Sequence, residues 1–238
     1  MVEQLKLNDL SVDLVRKRIK NVHLSVYPPT GRVRIAAPEE MNLETIRAFA
    51  ANKLPWIRKQ QRKQIAQKRE PKREFLERES HYLWGKRYLL SLAEKKAKPK
   101  VELKHRKIAL TIRPGASERK RQQVIEDWYR KQLADALPSI IVRWEKVIGA
   151  TVSDWQVRKM KTKWGSCIPQ NRKIIVNLEL AKKPKECLEY IVAHEIVHLI
   201  EPTHNDRFKS MMNLYVPQWK EHRKVLNRIP VSHREWSY

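Results

Sequence analysis

Glycine is scarce in this chain, with five in 238 residues. That leaves no glycine-rich loop of the kind whose backbone amides cradle nucleotide phosphates. Cysteine is scarcer: Cys167 and Cys187 cannot build a disulfide framework, and their lack of a CxxC spacing argues against a thiolate zinc knuckle. Two unpaired thiols fit a cytoplasmic setting, which is the expectation. No run approaches 18 apolar residues, so no membrane span is expected. The opening MVEQLKLNDLSVD has neither the basic start nor the apolar centre of a signal peptide. Acidic residues are the last shortage. Against 51 Lys and Arg stand only 26 Asp and Glu, a net charge of +25. Such a surface attracts polyanions, although solubility alone would account for much of it.

The hydrophobic share of 41% and eight Trp are enough for a folded core. Residues 12–36 read as strands, with Val22, Leu24 and Val26 alternating with polar neighbours and PPTG as a turn. A helix over roughly 43–69 follows, basic in its second half, where Arg58, Lys59, Arg62 and Lys63 are the candidates for contact with nucleic acid. Residues 81–113 form a second strand cluster. A long helix runs from a Ser117 cap to Gly149, with Pro138 expected to kink or break it. The parity switch between Trp155/Val157 and Met160/Thr162/Trp164 suggests a bulged strand, PQNR a hairpin turn, and residues 174–180 a half-buried strand. No internal repeat is evident. The expected domains are a mixed strand/helix region over 1–116 and a more helical region over 117–238.

The chemistry concentrates in YIVAHEIVHLIEPTH, residues 190–204. His194 and His198 are four apart and so project from one face of a helix, near enough to hold one ion. HExxH has a mechanism: two neutral imidazoles bind zinc, and Glu195 takes a proton from the metal-bound water. A catalytic zinc needs a third protein ligand. His204, six residues after His198, is favoured; Glu201, on roughly the same face, competes and could instead orient an imidazole from behind.

RKMKTKWGSC, VNLELAKKP, the histidine segment and WKEHRKVLN together resemble the YgjP-like family of zinc-dependent hydrolases, relatives of the SprT-like HExxH metallopeptidases. The resemblance covers about residues 155–228. It implies an α+β fold with N-terminal antiparallel strands and helices and a zincin-like helical part with a cleft-edge strand. It also implies His194, His198 and His204 as metal ligands and Glu195 as the general base. Trp164, Gly165, Ser166 and Cys167 would then lie along the substrate cleft, where the strand could pair with an extended peptide. Family members often carry HLxHxNH where this chain has HLIEPTH, so Glu201 stands in place of a histidine while the third-histidine spacing is kept. Tyr190, His222 and Arg223 are candidates to stabilise an oxyanion. Three histidines make Zn2+ the expected ion, one per chain, with another divalent transition metal as the alternative. The leading function is a metallopeptidase acting on peptide or protein substrates. The alternatives are a metal-dependent nucleotide pyrophosphatase and a nucleic-acid-associated protease or binding protein.

Overall fold

The structure is a computed structural model that describes residues 2–7, 9–27, 30–66, 73–160 and 163–228. The turn expected at PPTG falls partly on Pro28 and Pro29, outside the described residues. The fold is α+β and comprises two compact units, Met1–Arg69 and Glu70–Tyr238. The boundary expected near residue 116 falls inside the second unit. There Ile108, Leu110 and Ile112, which precede it, share one core with Ile125, Tyr129 and Leu133, which follow it.

In the first unit, β1 (Val2–Leu7), β2 (Leu10–Lys17), β3 (His23–Tyr27) and β4 (Arg32–Pro38) form one sheet in the order β1-β2-β4-β3. Alternation puts Val12, Leu14, Val33, Ile35 and Ala37 on the core face. Helices α1 (Leu43–Asn52) and α2 (Leu54–Ala66) bury Ile46, Ala50 and Ile57 in the same core. Asn42 caps α1 by accepting from the Glu44 N–H at 2.9 Å. Over its described residues the one helix expected at 43–69 is thus two, parted at Lys53 just before Pro55, and residues 67–69 lie outside them.

The second unit opens with β5 (Ser80–Leu83), β6 (Lys86–Glu94), β7 (Lys100–Lys104) and β8 (Lys107–Ile112), in the order β5-β6-β8-β7. This repeats the first sheet. In both, the outer pairs are antiparallel, the central pair is parallel, and a helix follows. The helices even share a pentapeptide pattern, Trp56-Ile57-Arg58-Lys59-Gln60 and Trp128-Tyr129-Arg130-Lys131-Gln132, with Ile57 and Tyr129 both buried. The chain therefore does contain a repeat at the level of topology. It escapes a reading of the sequence because two-residue alternation, which any half-buried strand shows, is most of what the copies share.

Helix α3 (Glu118–Ile148) starts at the Ser117 cap, ends at Gly149 in the left-handed conformation (φ 77°) and continues through Pro138. Leu133, Leu137, Ile140 and Ile141 are buried on both sides of that proline, and their packing outweighs the lost backbone bond. Three strands then make a second sheet, β9 (Asp154–Arg158), β10 (Gly165–Ile168) and β11 (Lys173–Asn177), in the order β10-β11-β9. Residues 155–168 are consequently two strands on opposite sides of β11, not one bulged strand. PQNR does form the hairpin turn, closed by Arg172 at φ 47°. β11 stops at Asn177 and Leu178–Lys182 continue as a buried 3-10 helix, whose first turn Asn177 caps through the Glu179 N–H.

Helices α4 (Lys185–Val197), α5 (Asp206–Tyr215) and α6 (Trp219–Arg228) complete the unit. The tip of the β5–β6 hairpin ties the first sheet of this unit to the 3-10 helix that precedes α4. Trp84 N–H donates to the Ala181 carbonyl at 2.8 Å and Gly85 N–H to that of Lys182 at 3.3 Å. Gly85 has φ 77°, and a side chain there would also crowd Pro184. Among the described residues no helix is long and apolar enough to cross a membrane.

Candidate metal centre

α4 is largely apolar after its first turn, and His194 and Glu195 stand among its buried residues near the C-terminal end. The helix ends just before His198. The chain then turns through residues 199–205, and Asn205 caps α5 by accepting from the Phe208 N–H at 2.9 Å. That turn returns His204 over α4. Its Nε2 stands 3.0 Å from Nε2 of His194 and 3.1 Å from Nε2 of His198. Two nitrogens bound to one tetrahedral zinc at about 2.0–2.1 Å stand about 3.3 Å apart, so the three rings match the donor spacing of such an ion. Among the described residues these three histidines form the one cluster able to hold a metal.

The protonation of the rings fits as well. His198 Nδ1 donates to the Glu201 carbonyl at 3.0 Å, which in the neutral ring puts the proton on Nδ1 and makes Nε2 the nitrogen available to a metal. Burial, then the charges of His198, His204 and Arg223, hold His194 down at about 3. His204 is lowered by burial, His198 and Arg223. Both rings are thereby neutral at pH 7, as metal ligation requires. His194 Nδ1 is buried with no hydrogen-bond partner among the described residues. Glu201 takes the supporting place through its backbone. Its carboxylate turns away to accept from Thr203 Oγ1 at 3.0 Å, 4.0 Å from Arg207.

Glu195 is buried against β10 beside this cluster, and burial pushes its carboxyl up to about 8, opposed by the charge of Lys163. The cleft in front of it encloses about 900 Å3. Trp164, Gly165, Ser166 and Cys167 all line it, as do Tyr190 and Arg223, whereas His222 does not and meets Tyr190 from behind at 6.2 Å between rings. Burial and the Glu195 charge raise the Cys167 thiol to about 11, so it stands protonated and is no nucleophile. Arg58, Lys59 and Arg62 are exposed on α2, with Arg58 paired to Asp9 at 3.0 Å, far in sequence from this cleft; the Lys63 side chain lies outside the described residues.

Two contributors carry no signal as a motif. Phe208, buried in the first turn of α5, lies 4.9, 4.6 and 4.7 Å from the rings of His194, His198 and His204 and stacks on His198. Asn177 ties down the segment leading into β10. Its Nδ2 donates to the carbonyls of Met160 (2.9 Å) and Lys163 (2.7 Å), and its Oδ1 accepts from the Met160 N–H at 3.3 Å. The apolar spacing after His204 marked Phe208 only as core, and nothing local separates Asn177 from any other polar residue in a strand.

A family model described as YgjP-like, metallopeptidase domain, matches residues 20–229. No curated protein matches the chain. Two solved structures are similar over part of it. The metallopeptidase zymogen of Pyrococcus abyssi abylysin is 18% identical, with a TM-score of 0.35 over 37% of this chain and 89% of its own. That of Methanocaldococcus jannaschii jannalysin is also 18% identical, with a TM-score of 0.33 over 37% of this chain and 90% of its own.

Proposed function

Because the chain belongs to the YgjP-like metallopeptidase family, and is thus a metal-dependent hydrolase, we propose that it cleaves peptide bonds with Glu195 as the base and His194, His198 and His204 as the ligands of one zinc ion. The observation that carries this reading is the convergence of three Nε2 atoms within 3.0–3.1 Å contacts, next to a buried carboxylate on the same helix. Zinc held by three imidazoles polarises a carbonyl and brings the pKa of a water towards about 7.

The chain's own residues do the rest. Glu195, buried on α4 next to His194 and lining the cleft, is placed to take a proton from the attacking water and return it to the leaving amine. β10 lines the cleft and is an edge strand of its sheet, which supports the pairing of an extended peptide along it. Arg223 lines the cleft, and its charge acts on His194 and His204, which supports a role for it in stabilising negative charge on the carbonyl oxygen. Zinc-loaded Glu195→Gln protein should keep its metal and lose at least 100-fold in cleavage of fluorescein-labelled casein. Undiminished cleavage by that variant would remove Glu195 as the base.

A further inference from the structure

Of the five glycines, four have the positive φ that favours glycine, namely Gly31, Gly85, Gly115 and Gly149. Gly165 does not, so its backbone would accept any residue. What it lacks room for is a side chain. A Cβ at this position would stand 2.3 Å from Oε1 of Glu195 and 2.8 Å from both Cδ and Cγ. Those separations are far inside contact distance, since non-bonded carbons sit about 3.5–4.0 Å apart. The conflict is not with the tip of a side chain alone, because two of the three atoms are carbons further back along a residue that is 4% exposed.

β10 also cannot retreat from α4 without cost. Gly165 is paired with Val176 in the β10–β11 ladder, and Asn177 N–H donates to the Trp164 carbonyl at 2.9 Å just before it. Two residues along, on the same side of the strand, Cys167 lies close enough to Glu195 to feel its charge. The carboxylate is thereby confined between α4 and a strand that presents only a glycine and a small thiol.

We propose that Gly165 is a positioning residue for Glu195: the missing side chain is the slot in which the carboxylate is held beside the three histidines. This rests on the reading of Glu195 as the base for its catalytic consequence, but not for its geometry. Substitution at Gly165 should therefore move the base and leave the ligands alone.

The test is the Gly165→Ala protein loaded with zinc. Its crystal structure should show the Glu195 carboxylate displaced by about 1 Å or more, with His194, His198 and His204 in place and the metal content per chain unchanged. With labelled casein, kcat should fall about 100-fold while KM stays within a few-fold, the effect of a misplacement of about 1 Å. Glu195→Asp, one methylene shorter, should blunt that loss, so that Gly165→Ala costs less in the Asp background than in the wild type. A carboxylate found in its original place, with β10 shifted to admit the methyl group, would overturn the proposal. So would an equal fall in kcat in both backgrounds. If Glu195→Gln cleaves casein normally, or casein is not cut at all, the crystal structure alone decides whether Gly165 sets the place of the carboxylate.

Discussion

His198 and Glu201 are joined by a single hydrogen bond, from the ring Nδ1 to the backbone carbonyl at 3.0 Å, and that bond selects which ring nitrogen faces His194 and His204. The selection depends on the fold of the chain after α4, and not on the Glu201 side chain. The carboxylate expected from the sequence as a rival ligand is instead engaged with Thr203.

Glu201→Ala should therefore leave zinc binding nearly intact. Competition with a chromophoric chelator is expected to give a dissociation constant within about tenfold of wild type, the lower end of what loss of a supporting contact costs. A loss of several orders of magnitude would make Glu201 a ligand.

Glu195 should be a burden on the metal-free fold at neutral pH. Its carboxyl rises from 4.5 to about 8 on folding. Between those values the folded protein holds a proton that the unfolded chain releases, so stability falls as pH rises from 4.5 through 8. His194 acts in the opposite sense. Its value drops from 6.5 to about 3, so its contribution is complete above 6.5 and is lost as pH falls below that. In chelator-treated protein Glu195→Gln should raise stability at pH 8 by about 4 kcal/mol and give little change at pH 4.5. Urea unfolding at the two pH values measures this directly.

Asn177→Ala removes two donated and two accepted hydrogen bonds, since Oδ1 also takes the Glu179 N–H. It should lower stability by about 2–4 kcal/mol, because the partners are left unpaired in a buried place. Metal content should be unchanged and KM for labelled casein raised, since the loosened segment leads into the cleft edge.

Phe208→Ala should cost about 3–5 kcal/mol, the usual range for emptying a buried phenylalanine site. The cavity it opens lies under all three imidazoles, so zinc affinity should fall about 10–100-fold, as when outer support of ligands is removed. Phe208→Leu, which refills most of the space, should recover most of both.

Much of this was legible from residue order alone. The histidine helix was, because His194, Glu195 and His198 stand at HExxH spacing within a largely apolar run. So were the caps at Ser117 and Gly149 and the PQNR turn. The parts that were hidden depend on partners distant in sequence. Pro138 announces a break, but the core on either side of it carries α3 through. The parity switch at Met160 reads as a bulge when the chain instead crosses from one side of β11 to the other. Gly165 gives no local sign of its neighbour, since the carboxylate that crowds it lies thirty residues away.

The most direct test of the account is the metal content of protein purified without a histidine tag, measured by mass spectrometry beside His204→Ala. The account predicts about one zinc per wild-type chain and far less in the variant at the same free zinc. Equal zinc in the two proteins, or none in the wild type after zinc is supplied, would contradict it.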